Sequence, residues 1–83
     1  MFKVLYFTAS WCGPCKAMAP VVAEAQQFLS IEKVDAEMNP DLTRQYGVRS
    51  VPTFIYIKDG QEVGRRNGAM RIADFQNLAQ TYK

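Results

Sequence analysis

An α/β fold in the order β-α-β-α-β-β-α is predicted by three features of the sequence. Short β-branched and aromatic runs alternate with segments of helical apolar spacing. Prolines and glycines fall where helices start and stop, and an Asp59-Gly60 pair separates the last two strands. With 83 residues, 48% of them hydrophobic, there is material for one modest core and not for two, so a single domain spanning 1–83 is expected.

Each element follows from local chemistry. Lys3 to Thr8 is an apolar, β-branched and aromatic run that reads as a buried strand. Pro14 to Leu29 places Ala17, Met18, Val21, Val22, Ala25, Phe28 and Leu29 at helical spacing, a stripe expected to pack on the core. Pro20 should kink that helix rather than end it. Ile31 to Ala36 is a second strand, and after a helix it returns most simply parallel to the first. Asn39-Pro40 opens a short helix through about Tyr46, stopped by Gly47, with Tyr46 assigned to the core. Pro52 to Lys58 and Gln61 to Arg66 form an antiparallel pair about the Asp59-Gly60 turn. After Gly68-Ala69 breaks the pattern, Arg71 to Tyr82 forms the last helix, with Ile72, Phe75, Leu78, Ala79 and Tyr82 on one face. No repeat, linker or low-complexity segment interrupts this order.

The chemistry concentrates in Trp11-Cys12-Gly13-Pro14-Cys15-Lys16, which holds both cysteines at a predicted helix start. Unpaired N–H groups and the helix dipole there stabilise a thiolate on the first sulfur, so Cys12 is the expected nucleophile. Cys15, one turn further on and expected to be the more enclosed, can attack a mixed disulfide and release the reduced substrate without any cofactor. Pro14 suits the first helical positions, where its missing N–H has no partner to lose. Half of a zinc site is the competing reading, but the chain has no histidine and no third cysteine. A purely structural disulfide is a third reading, and so short a loop removes little chain entropy.

Composition limits the other function classes. A net charge of +2, with Arg65-Arg66 the only basic doublet, gives no footprint for nucleic acid. No apolar run approaches membrane-spanning length, and Met1 to Phe7 is too short before the cysteine motif for a signal peptide. The expected compartment is the cytosol, where thiols are held reduced and a cysteine pair is better read as catalytic.

The sequence resembles the thioredoxin family over nearly its whole length. The active-site hexapeptide from Trp11 to Lys16 matches, Pro20 falls at the family's helix kink, and Asn39-Pro40, Tyr46-Gly47-Val48-Arg49, Val51-Pro52-Thr53, Asp59-Gly60 and Gly68-Ala69 follow in order. The resemblance implies a thioredoxin-like fold with a central mixed four-stranded sheet flanked by helices. It further implies a cis Pro52 beside the sulfurs, with Val51 offering backbone N–H and C=O groups to an extended substrate. Trp11, Gly13, Pro14, Gly68 and Ala69 would form the surrounding apolar surface.

Three departures from the family stand out. The chain starts at the inner strand, without the family's usual first strand and helix, which brings it near a glutaredoxin in size. Asn67-Gly68-Ala69-Met70 nonetheless lacks the acid-bearing glutathione stretch of glutaredoxins. The family's buried aspartate under the cysteines is replaced by Tyr6, while Lys33 matches the lysine that partners it. Cys15 would then be deprotonated through water or through a Tyr6 hydroxyl poised by Lys33; Asp35 and Glu37 are alternative carboxylates, both expected to face solvent. Thr8 stands where many members place a tryptophan, which bears on docking to a reductase.

The resemblance thus implies a cytosolic, monomeric thiol–disulfide oxidoreductase acting on protein disulfides with no bound cofactor beyond the Cys12–Cys15 pair. NADPH would act indirectly, through thioredoxin reductase or a dedicated reductase. A glutathione-dependent reductant is the alternative within the class, and a non-redox binding module on the same fold is the alternative outside it.

Overall fold

The computed structural model describes residues 1–82 and gives seven elements in the expected order. They are β1 (Phe2–Thr8), α1 (Gly13–Ala25), β2 (Ile31–Asp35), α2 (Pro40–Gln45), β3 (Thr53–Lys58), β4 (Gln61–Asn67) and α3 (Ile72–Thr81). The four strands form one mixed sheet in the order β2-β1-β3-β4. β1 runs parallel to β2 and antiparallel to β3, and β3 pairs antiparallel with β4.

Alternation along β1 feeds two cores. Val4 and Tyr6 join Met18, Val22 and Ala25 of α1, Phe54 of β3 and Phe75 of α3 on one face of the sheet. Leu5 and Phe7 join Val34, Ile55 and Ile57 on the other, where Leu42 and Tyr46 from the α2 segment cover them. Aromatic geometry reinforces both layers. Tyr6 stacks on Phe54 at 4.8 Å, Phe75 meets Phe54 edge-on at 5.4 Å, and Tyr46 meets Phe7 edge-on at 6.1 Å. Because β1 is sandwiched on both faces and flanked by a strand on each side, its last residues are a rigid platform for the loop that follows.

The structure shortens the first helix relative to its apolar pattern. α1 stops at Ala25, and the N–H groups of Gln27 and Phe28 turn back to the carbonyls of Glu24 and Ala25, three residues behind each. Tightening the last turn rotates Phe28 away from the core, so Phe28 is exposed, while Leu29 stays half-buried against it. Ala17 is exposed as well, because the buried stripe runs through Cys15, Met18, Val22 and Ala25. At the hairpin, Asp59 and Gly60 both adopt positive φ, the backbone of a primed turn that matches strand twist. β4 then slips by one residue, with Tyr56 opposite Gly64 but Ile57 opposite Glu62, leaving Val63 as a bulge on the exposed edge.

Candidate active site

The end of β1, the start of α1 and the segment before β3 converge on the two cysteines. After Thr8 the chain turns sharply, with the Cys12 N–H donating to the Ala9 carbonyl at 3.1 Å. Cys12 is the N-cap of α1, in extended backbone geometry, and its Sγ accepts the Cys15 N–H at 3.1 Å. No acidic residue occupies the first turn, and Pro14 sits there at the expected start. An N-cap sulfur that receives a backbone N–H at the positive end of a helix dipole is placed where a thiolate is stabilised once the pair is reduced.

Cys12 and Cys15 are joined as a disulfide, with Cα atoms 5.2 Å apart. Cys15 is not the more enclosed of the two. Their exposures are 3% for Cys12 and 4% for Cys15, because Ala9 and Val51 pack against both sulfur-bearing residues. Gly13 and Pro14 between them are exposed, as is Trp11 at 69%.

Opposite the sulfurs, the Val51–Pro52 peptide is cis, as the resemblance implies. Pro52 is buried and Val51 half-buried, and no backbone hydrogen bond involves Val51 among the described residues. Its N–H and C=O are therefore available to an added extended chain. The neighbouring groups are tied down. The Thr53 hydroxyl donates to the Ser50 carbonyl at 2.7 Å and lies 3.3 Å from the Asn67 side-chain oxygen. The Gly68 N–H donates to the Pro52 carbonyl at 2.8 Å. Gly68 has φ +108°, which lets the chain leave β4 while its N–H points back at Pro52; Ala69 beside it is exposed. A shallow groove of about 160 Å³ runs from Trp11 past Thr43, Val48 and Val51.

A second and larger concavity, about 430 Å³, opens on the other side of α1, between that helix and β2. Tyr6, Thr8, Cys15, Lys16, Lys33 and Asp35 contribute to its wall. Tyr6 is buried, with 3% exposure, and its hydroxyl donates to the Cys15 carbonyl at 3.2 Å. The tyrosine thus reaches Cys15 through the backbone rather than the sulfur. Lys33 pairs with Tyr6 across the parallel strands and is exposed at the cleft. Glu37 is exposed as expected, whereas Asp35 is half-buried and lines the cleft, because its strand register turns it inward beside Thr8. That placement depends on the register of β2 against β1, two strands separated by a helix, which no local pattern in the sequence carries. Thr53 and Asn67 stand in the sequence only within their motifs, and their contact with each other carries no periodic signal.

Comparison with known proteins agrees with this geometry. The family model Thioredoxin matches residues 2–81. Thioredoxin 1 of Synechococcus elongatus is 48% identical over 68 residues, covering 77% of this chain and 64% of its own. A thioredoxin H-type of Oryza sativa is 46% identical over 77 residues, covering 89% of this chain and 62% of its own. The chain thus spans somewhat under two thirds of these curated relatives. Among solved structures, a mutant thioredoxin from Halobacterium salinarum superposes with a TM-score of 0.92 at 32% identity, over 98% of this chain and 74% of that one. Fasciola hepatica thioredoxin gives 0.86 at 38% identity, over 99% and 81%. The chain belongs to the thioredoxin family.

Proposed function

We propose that the chain is a single-domain thiol–disulfide oxidoreductase that reduces protein disulfides. The observation that carries this reading is the Cys12 sulfur at the N-cap of α1, hydrogen-bonded to the Cys15 N–H and packed against Val51 next to the cis proline. In the reduced protein the Cys12 thiolate attacks one sulfur of a substrate disulfide, forming a mixed disulfide and releasing the first substrate thiolate. Cys15 then attacks the Cys12 Sγ, releases the second substrate thiolate and closes the Cys12–Cys15 disulfide. Two electrons pass to the substrate, and an external dithiol restores the pair.

Substrate binding follows from the same surface. Val51 supplies main-chain pairing, which carries little side-chain information, while Trp11, Gly13, Pro14, Pro52, Gly68 and Ala69 frame the sulfurs. Such a surface suits many protein disulfides. The electron donor in this reading is thioredoxin reductase, fed by NADPH, and the protein works as a monomer in the cytosol. No helix among the described residues is long and apolar enough to cross a membrane.

Insulin reduction tests the reading, with NADPH consumption followed in two couplings. Turnover with thioredoxin reductase is expected. Turnover only with glutathione and glutathione reductase would move the protein to glutaredoxin-like chemistry. Failure of both couplings and of dithiothreitol-driven reduction would leave a binding module.

A further inference from the structure

Once Cys12 is held in a mixed disulfide, Cys15 must lose its proton before it can attack, and the side chain that β1 places beneath it is Tyr6. The Tyr6 hydroxyl donates to the Cys15 carbonyl, so it ties β1 to the turn that holds the sulfur. The route for the proton lies beside it. The parallel register sets Tyr6 against Lys33 and Thr8 against Asp35. Residues paired across adjacent strands share a face, and all four line the same cleft as Cys15 and Lys16. The titratable and charged groups facing this cleft are therefore Tyr6 from β1, Cys15 and Lys16 from α1, and Lys33 and Asp35 from β2.

Asp35 is the one carboxylate among them. Its Oδ1 accepts the backbone N–H groups of Glu37 at 2.9 Å and Met38 at 3.1 Å, which fixes the side chain at the end of β2. Oδ2 has no partner among the described residues.

We propose that Asp35 is the proton acceptor for Cys15 in the resolving step, reached through solvent in the cleft between α1 and β2. The Cys15 S–H bond breaks and its proton passes through water to the Asp35 carboxylate. The sulfur forms a bond to Cys12 Sγ, and the electron pair of the broken mixed disulfide leaves with the substrate sulfur. Asp35 then returns its proton to solvent. This step rests on the disulfide-exchange reading above.

A chromogenic aromatic disulfide separates the two half-reactions, because attack by Cys12 releases one coloured thiolate and resolution by Cys15 releases a second. Stopped-flow traces are compared for the wild-type protein, Asp35→Asn and Glu37→Gln between about pH 6 and pH 8. Asparagine keeps an oxygen for the two backbone N–H groups, so the turn is retained. In Asp35→Asn the first release is expected to be unchanged and the second about tenfold slower at the acid end, recovering as pH rises. Glu37→Gln is expected to follow the wild type in both phases. The direction is diagnostic. Removing a negative charge near Cys15 without removing a base would favour its thiolate and speed resolution. A second phase that is unchanged or faster, or both phases slowed alike, overturns the assignment. A wild-type protein that releases neither equivalent overturns disulfide exchange itself.

Discussion

Replacing Tyr6 with phenylalanine removes one oxygen from the most constrained point between sheet and active-site helix. The ring would keep its stack on Phe54, at 4.8 Å and nearly parallel, and its place in the core with Val4 and Val22. What is lost is the 3.2 Å hydrogen bond to the Cys15 carbonyl. A buried hydrogen bond contributes about 0.5–1.5 kcal/mol net, and leaving an acceptor with no partner at all costs more. The Cys15 carbonyl lies inside α1, four residues before Ala19, whose N–H is a helical donor to it. The middle of the range, about 1 kcal/mol, is therefore expected. For a chain of this length that lowers Tm by about 4–8 °C. Urea unfolding of the oxidised protein, with the m-value held constant as a check on the end states, measures it directly. Catalysis supplies the second readout. With the hydroxyl directed at the backbone, the pH profile of disulfide reduction is expected to match the wild type. An unchanged midpoint, or a normal midpoint with a shifted profile, would refute the assignment of this hydroxyl to the backbone.

Two further substitutions probe the surface. Arg65 donates to both carboxylate oxygens of Glu62 at 2.7 and 2.8 Å and, through Nη2, to the Tyr46 carbonyl at 2.8 Å, joining β4 to the end of α2. These hydrogen bonds hold the Glu62 carboxyl below its ordinary value. The contribution of the pair is thus complete above the unfolded carboxylate range and is lost as pH falls through the lower folded value. Glu62→Gln is expected to cost about 0.5 kcal/mol at neutral pH and nothing in strong acid, read from urea midpoints across that range. Trp11→Ala removes an indole that is 69% exposed at the rim of the groove. It is expected to leave the unfolding midpoint within about 0.5 kcal/mol of wild type while raising KM for a protein disulfide severalfold.

The order of elements was legible because each boundary had a chemical cause: Pro14 at a helix start, Gly47 after a helix end, Asp59-Gly60 at positive φ. The cysteine pair was legible because its spacing at an N-cap has few other uses. The cis state of Pro52 was available only through resemblance, since no local pattern separates it from a proline that begins a strand. Long-range partners were not legible. Tyr6 as a donor to Cys15 depends on how α1 lies across β1, and Asp35 in the cleft depends on the register of two strands separated by a helix. Phe28 fitted the helical stripe, but the tightened turn after Ala25 carries it outward.

The division of labour between the sulfurs underlies the whole mechanism, and covalent trapping tests it most directly. Cys15→Ser keeps the backbone N–H that donates to the Cys12 sulfur and removes only the resolving thiol. Incubated with a disulfide-bonded protein and analysed by intact mass, it is expected to accumulate as a mixed disulfide through Cys12, whereas Cys12→Ser is expected to accumulate none. Equal trapping by both variants, or trapping by Cys12→Ser alone, would contradict the assignment.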